Sequence, residues 1–188
     1  MDAVLRLGYD AVGHLARALA LVAPTGDAKL LRALRARRGI RTRYASWAAA
    51  GRDLTRPLLW MHAPSVGEGL QARPLLQLAR THRPDVQLAY TFFSPSAAPF
   101  ARGLGVDFTD YLPFDTEGEA HAALEALAPR ALVFSKLDVW PNLARVAAER
   151  GVRLGLVSAT LAEESSRRRG VAARLLANAY ARLDAVGA

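Results

Sequence analysis

The chain has 188 residues, of which 52% are hydrophobic and 22% charged, a balance that supports one folded domain with a substantial core and excludes a disordered chain. It contains no cysteine, which rules out disulfides, thiolate metal sites and a Cys nucleophile; its four histidines (His14, His62, His82, His121) lack zinc-site spacing, so no protein-bound metal is expected. The net charge of +8 is local, because residues 1–56 hold 11 Lys+Arg against 4 Asp+Glu, whereas residues 57–188 hold 14 against 13.

The first segment is interrupted by Asp2, Arg6, Asp10, His14 and Arg17. It therefore falls short of the roughly 18 uncharged apolar residues of a membrane span, and it lacks the order of a signal peptide. Val4, Leu7, Val12, Leu15, Leu19 and Val22 nonetheless approximate one helical face, followed by Pro24 and a run of arginines. Two readings stay open: an interfacial helix with a basic flank, or an amphipathic helix packed on its own domain.

Next come Lys29, Arg32, Arg35, Arg37, Arg38, Arg41, Arg43, Arg52 and Arg56, opposed in that stretch only by Asp53. A surface carrying them would attract phosphate, on nucleic acid or on lipid headgroups. Residues 1–56 thus read as an amphipathic helix and a basic membrane-proximal segment, with Arg35, Arg37, Arg38 and Arg41 as candidate membrane or phosphate contacts. A nucleic-acid groove would interleave aromatics with the arginines, and Tyr44 and Trp47 are all the stretch offers, so nucleic acid is not expected as a partner.

From residue 57 onward, short apolar runs begin at Leu58, Val86, Ala131, Arg153 and Asp184, several introduced by Pro57, Pro84, Pro129 or Gly151. Helical patterns at 70–80, 117–127, 143–150 and 171–183 lie between them. This alternation predicts an α/β domain over residues 57–188, a Rossmann-like parallel sheet with helices on both faces, because parallel strands need crossover connections. A last run barely begun at the end of the chain fits either a removed second domain or a naturally short product.

Ligands in such sheets sit beyond the carboxyl ends of the strands. Three loops there carry unusual chemistry. In the loop after the first run, Glu68 stands between Gly67 and Gly69 at a helix start, where a carboxylate could take a proton from a sugar hydroxyl or merely favour the helix dipole. Ser65 is not a nucleophile elbow, since Ala63 occupies the required glycine position, and Ala72 breaks a dinucleotide fingerprint. Ser94 and Ser96, flanking Pro95, could donate to phosphate or sugar oxygens or be ordinary turn residues. Lys136 and Asp138, ahead of Trp140, could meet an anionic substrate or form a pair on the rim. Arg167, Arg168 and Arg169 form one more basic cluster, either solvated or near a phosphorylated ligand.

Read together, Trp60-Met61-His62-Ala63-Pro64-Ser65-Val66-Gly67-Glu68 resembles the W-x-H-A-x-S-V-G-E motif of 3-deoxy-D-manno-octulosonate (Kdo) transferases. Tyr90 through Ser96 is similar to the family's T-F-F-S-P-S element, Tyr111 through Thr116 to its Y-L-P-x-D-x element, and Phe134 through Asn142 to its F-x-K-x-E-x-W-P-N element. The resemblance implies the amino-terminal, acceptor-binding half of a GT-B glycosyltransferase that moves Kdo from CMP-Kdo to a lipid A precursor with inversion, without a cofactor. It implies a donor domain outside this chain, CMP-Kdo bound through it, and work at the cytoplasmic face of the inner membrane. By the same resemblance Glu68 and Asp138 are catalytic, Asp138 replacing the family's Glu, and His62, Ser65, Gly67, Ser94, Ser96 and Lys136 bind substrate. A non-catalytic glycolipid-binding module descended from such an enzyme is the alternative.

Overall fold

The computed structural model describes residues 3–159 and 170–187. Arg167, Arg168, Arg169 and the side chain of Val4 lie outside the described part. Six strands, β1 (Leu58–His62), β2 (Gln87–Phe92), β3 (Phe108–Tyr111), β4 (Ala131–Ser135), β5 (Arg153–Val157) and β6 (Ala185–Val186), form one parallel sheet in the order β3-β2-β1-β4-β5-β6. The crossovers run through α4 (Val66–His82), α5 (Ala98–Arg102), α6 (Glu117–Leu127), α7 (Pro141–Glu149) and α8 (Gly170–Tyr180). Three helices precede the sheet: α1 (Ala3–Val22), α2 (Lys29–Ala36) and α3 (Ile40–Gly51).

The period-2 geometry of a strand divides the core between the two faces of the sheet. Leu58 and Trp60 join Leu132, Phe134 and Leu154 under α3, α6 and α7, while Met61 joins Leu88, Tyr90 and Phe92 under α4 and α5. Ile40 and Tyr44 of α3 belong to the first of these clusters, so the basic segment is anchored in the same core as the sheet. Trp47 packs on Phe108 with ring centroids 4.9 Å apart. The strand missing from the sequence reading is β3, Phe-Thr-Asp-Tyr, whose two polar residues leave no apolar run to recognise.

Strand order reverses direction between β1 and β4, which are hydrogen-bonded neighbours. The loops leaving their carboxyl ends therefore depart to opposite sides and open a crevice between them. His62 is the last residue of β1, in register with Thr91 on β2 and Phe134 on β4, at the floor of that crevice.

Helix α1 lies on the domain by its polar edge. Tyr9 donates to Asp115 at 2.9 Å, Asp10 accepts from Asn142 at 2.6 Å, and Arg17 pairs with Glu119 at 3.1 Å. Gly13 makes the close approach possible, since a Cβ there would stand 2.8 Å from the Thr116 methyl. Leu7, Val12, Leu15, Leu19 and Val22 face away from the protein and are exposed. The helix thus packs on its own domain, with its apolar stripe outward. Among the described residues no helix is long and apolar enough to cross a membrane.

Candidate active site

The crevice is built from four loops. Ser65 is the N-cap residue of α4 and Glu68 lies in its first turn, a spacing that ordinarily lets the serine hydroxyl accept from a helix amide. Here no such cap bond forms, and the Ser65 hydroxyl donates to Glu68 Oε2 instead. Lys136 Nζ lies 3.5 Å from the other oxygen, Oε1, and the Ser135 hydroxyl donates to the Glu68 carbonyl at 3.1 Å. Burial pushes the Glu68 carboxyl up, but the Ser65 hydroxyl, its own backbone N–H and Lys136 together outweigh it and hold the group below its ordinary value. Glu68 is therefore an ionised carboxylate at neutral pH, partly open to solvent.

The two flanking glycines serve different ends. A Cβ at position 69 would meet the Tyr90 hydroxyl and the Phe100 ring, both at 2.6 Å, so Gly69 is required for packing α4 onto β2 and α5. At position 67 the nearest atom would be Ser65 Oγ at 3.8 Å, so Gly67 leaves open space in front of the helix. Only Gly67 suits close approach of a ligand.

On the β4 side, Lys136 adopts a left-handed backbone (φ +61), a conformation that costs a non-glycine residue energy and concentrates at functional sites. Of the two readings of Lys136 and Asp138, the pair on the rim does not form among the described residues. Lys136 turns to Glu68, while Asp138 Oδ2 accepts from Trp140 Nε1 at 2.9 Å and lies 3.4 Å from His62 Nε2. His62 is fully buried, which removes it from direct contact with a ligand and corrects the substrate-binding expectation for this residue. Ser94 is nearly buried and shares a 2.8 Å hydrogen bond with the Ser96 hydroxyl, placing the pair at the mouth of the β2 loop.

Behind the crevice stands a residue whose role the sequence reading misassigned. Arg37 is only 4% exposed; its guanidinium donates to the carbonyls of Leu112 (2.8 Å), Ala33 (2.8 Å) and Phe93 (3.2 Å), and stacks 4.0 Å over the Phe93 ring. Phe93 in turn stacks on Trp140. Burial pulls the Arg37 pKa down to about 10, which still leaves it charged at neutral pH. As a membrane or phosphate contact Arg37 is corrected to an internal strut that ties the β2 and β3 loops to α2.

Asp115, on the β3 loop within the stretch Tyr111 through Thr116, organises the site from below. It accepts from the backbone N–H groups of Asn142 (3.0 Å) and Leu143 (2.8 Å), capping α7, which begins with Pro141 directly after Trp140. A carboxylate followed some 25 residues later by a proline-initiated helix carries no local signal of this contact.

The remaining arginines of the basic run divide similarly. Arg38 donates to the carbonyls of Ala20 (2.7 Å) and Ala23 (2.5 Å) at the end of α1, and Arg41 shares Glu119 with Arg17. Among the described residues Arg35 reaches only the Gly26 carbonyl, at 3.4 Å.

Residues 32–188 match the family described as 3-deoxy-D-manno-octulosonic-acid transferase (kdotransferase). The 3-deoxy-D-manno-octulosonic acid transferase of Bordetella pertussis is 34% identical over 150 residues, 76% of this chain and 35% of that protein. The Haemophilus influenzae protein of the same name is 27% identical over 114 residues, 60% of this chain and 27% of the relative. The chain thus spans about a third or less of the length of these relatives. Among solved structures, a putative UDP-N-acetylglucosamine 2-epimerase from Listeria monocytogenes superposes with a TM-score of 0.53 at 9% identity, over 70% of this chain and 38% of the other, a likeness of fold alone. With a family match that takes in the crevice loops, the whole sheet and most of the basic segment, this chain belongs to the Kdo transferase family.

Proposed function

We propose that this chain is the acceptor-binding, amino-terminal domain of an inverting glycosyltransferase of GT-B architecture, which transfers Kdo from CMP-Kdo to a lipid A precursor. The observation that carries the reading is the Glu68 carboxylate, held by Ser65 and Lys136 at the switch point of the sheet beside open space at Gly67. In this scheme Glu68 accepts the proton of the acceptor hydroxyl as its oxygen bonds to the anomeric carbon. The bond from that carbon to the CMP phosphate breaks on the opposite side, and CMP leaves with the electron pair. Against burial, Ser65 and Lys136 hold the Glu68 carboxyl below its ordinary value, and Lys136 presents a cation to an anionic substrate. Asp138 is the second acidic group of the crevice, and Ser94 and Ser96 supply hydroxyls at its mouth.

The apolar stripe of α1 gives the domain a surface for the acyl region of a lipid acceptor's membrane, and Arg35 and Arg41 lie on the segment that follows it. In this reading the domain works at the cytoplasmic face of the inner membrane, and the exposed stripe supports a membrane-surface role.

The test uses a protein that joins this chain to the remaining length found in its relatives. Glu68→Gln preserves size and hydrogen bonding but removes the base, so folding and acceptor affinity should hold while turnover falls about 100-fold or more. A folded variant keeping more than about a tenth of turnover would remove Glu68 from the mechanism.

A further inference from the structure

His62 is invisible to a ligand, yet both of its ring nitrogens are engaged. Nδ1 lies 3.0 Å from Thr91 Oγ1, and Nε2 lies 3.4 Å from Asp138 Oδ2 and 3.2 Å from Trp140 Nε1. Which nitrogen carries the proton follows from the donors around it. Trp60 Nε1, fully buried in β1, can only donate, and its partner is Thr91 Oγ1 at 2.8 Å. With that oxygen accepting from Trp60, the Thr91 hydroxyl proton is free to point at His62 Nδ1, which must then be the unprotonated nitrogen. His62 Nε2 carries its hydrogen toward Asp138, and the Trp140 N–H, nearer to Asp138 at 2.9 Å than to the ring, donates to the same carboxylate oxygen.

The reverse tautomer fails on two counts. It would leave the buried Thr91 hydroxyl with no acceptor, and, although Nε2 could then accept from Trp140 Nε1 at 3.2 Å, it would set the Nε2 lone pair 3.4 Å from a carboxylate oxygen. All four donors find acceptors in only one arrangement.

We propose that Trp60, Thr91 and His62 are positioning residues: they form a one-way hydrogen-bond chain that fixes His62 as its Nε2–H tautomer and so holds the Asp138 carboxylate in a single orientation at the crevice. Two donors converge on Oδ2, and among the described residues Oδ1 has no hydrogen-bond partner. Asp138 therefore offers one oxygen, Oδ1, as an acceptor for a ligand hydroxyl or ammonium group. The chain also accounts for the buried threonine near the end of the fully buried strand β2. This assignment rests on reading the crevice as the transfer site.

The test is read on the ring nitrogens by long-range 1H–15N correlation spectra of the 188-residue chain. His62→Gln identifies the His62 signals among the four histidines by their disappearance. In the unsubstituted chain Nδ1 should resonate as a pyridine-like, unprotonated nitrogen and Nε2 as a pyrrole-like N–H. Thr91→Ser keeps the donor and should leave this pattern intact, whereas Thr91→Val removes it and should shift the Nδ1 resonance further downfield, as its lone pair loses a hydrogen bond, with Nε2 still pyrrole-like toward Asp138. A pyrrole-like Nδ1 in the unsubstituted chain overturns the proposal, whether or not the valine variant folds. So does a folded Thr91→Val chain with unchanged nitrogen shifts. These outcomes are independent of the Glu68→Gln rate measurement: turnover surviving that change would sink the transfer site and leave the tautomer standing.

Discussion

Two neighbouring regions of this molecule invert the usual relation between residue class and location. In α1 Leu7, Leu15, Leu19 and Leu21 are exposed while Tyr9, Asp10 and Arg17 pair with the domain; in the following basic segment Arg37 is buried, and Arg38 and Arg52, though more exposed, donate to backbone carbonyls. The common cause is the supply of partners. Around α1 the domain offers polar groups, namely Asp115, Asn142 and Glu119, and the helix edge that can pair with them is the one that docks. Around the basic segment it offers carbonyls at helix ends, which carry partial negative charge. Arg38 closes α1, and Arg52 donates to the Leu127 and Ala128 carbonyls at the end of α6. A run of positive charge in a sequence can thus be helix-termination chemistry, with only its remainder left for an external anion.

The sharpest way to break this comparison is to remove the most inward arginine. Arg37→Met preserves length and much of the packing but leaves the Leu112, Ala33 and Phe93 carbonyls without their donor. Each buried group left unpaired costs about 1–3 kcal/mol, so urea unfolding should show a loss of about 4 kcal/mol. Arg35→Ala, which removes a 3.4 Å contact to the Gly26 carbonyl, should stay within about 0.5 kcal/mol. Equal stabilities would mean that Arg37 is a surface charge after all.

A second effect comes from the polar edge of α1. Asp115 is buried; desolvation raises its carboxyl to about 6, although the Asn142 and Leu143 amides and the Tyr9 hydroxyl pull the other way. A group raised in the folded state favours folding while it is protonated. Its contribution is therefore complete below about pH 4 and lost as pH rises through about 6. The difference amounts to at most about 3 kcal/mol. Measured as unfolding free energy of the unsubstituted chain minus that of Asp115→Asn, the curve should fall between pH 4 and 7. A flat difference would show that Asp115 is ionised throughout, with the helix N-terminus outweighing burial.

Much of the scaffold was legible because its cause is periodic. Strand β5 and helix α6 coincide with the residues read from alternation and helical spacing, and the crevice follows from strand order. Glu68 was legible because glycines flank it at a strand–helix turn. What escaped were contacts between residues far apart in sequence. Thr91 to His62, Asp115 to α7 and Arg37 to the β2 and β3 loops leave no local pattern, since each depends on which loops the sheet brings together. The orientation of α1 escaped for a related reason. Its hydrophobic periodicity defines a stripe but not the side that meets the domain, and that choice was made by Tyr9, Asp10 and Gly13, which sit outside the stripe.

The exposed stripe leads to the smallest and most specific expected effect. Leu15 and Leu19 are 60% and 48% exposed, so replacing both with serine should leave folding unchanged while removing apolar area from any lipid contact. Because they are half-exposed rather than fully free, each is worth about 1 kcal/mol on insertion, and the pair should weaken binding to anionic vesicles roughly thirtyfold. Arg35→Ala should weaken it by about 1 kcal/mol, through attraction to the headgroups. Salt separates the two contributions. Surface attraction is screened over about 10 Å at 0.1 M ionic strength, so the Arg35 effect should vanish as salt rises while the leucine effect persists. A double serine variant that binds vesicles like the unsubstituted chain would show that the outward stripe meets something other than lipid. A leucine effect that disappeared with salt would show that the stripe acts only by orienting the arginines behind it.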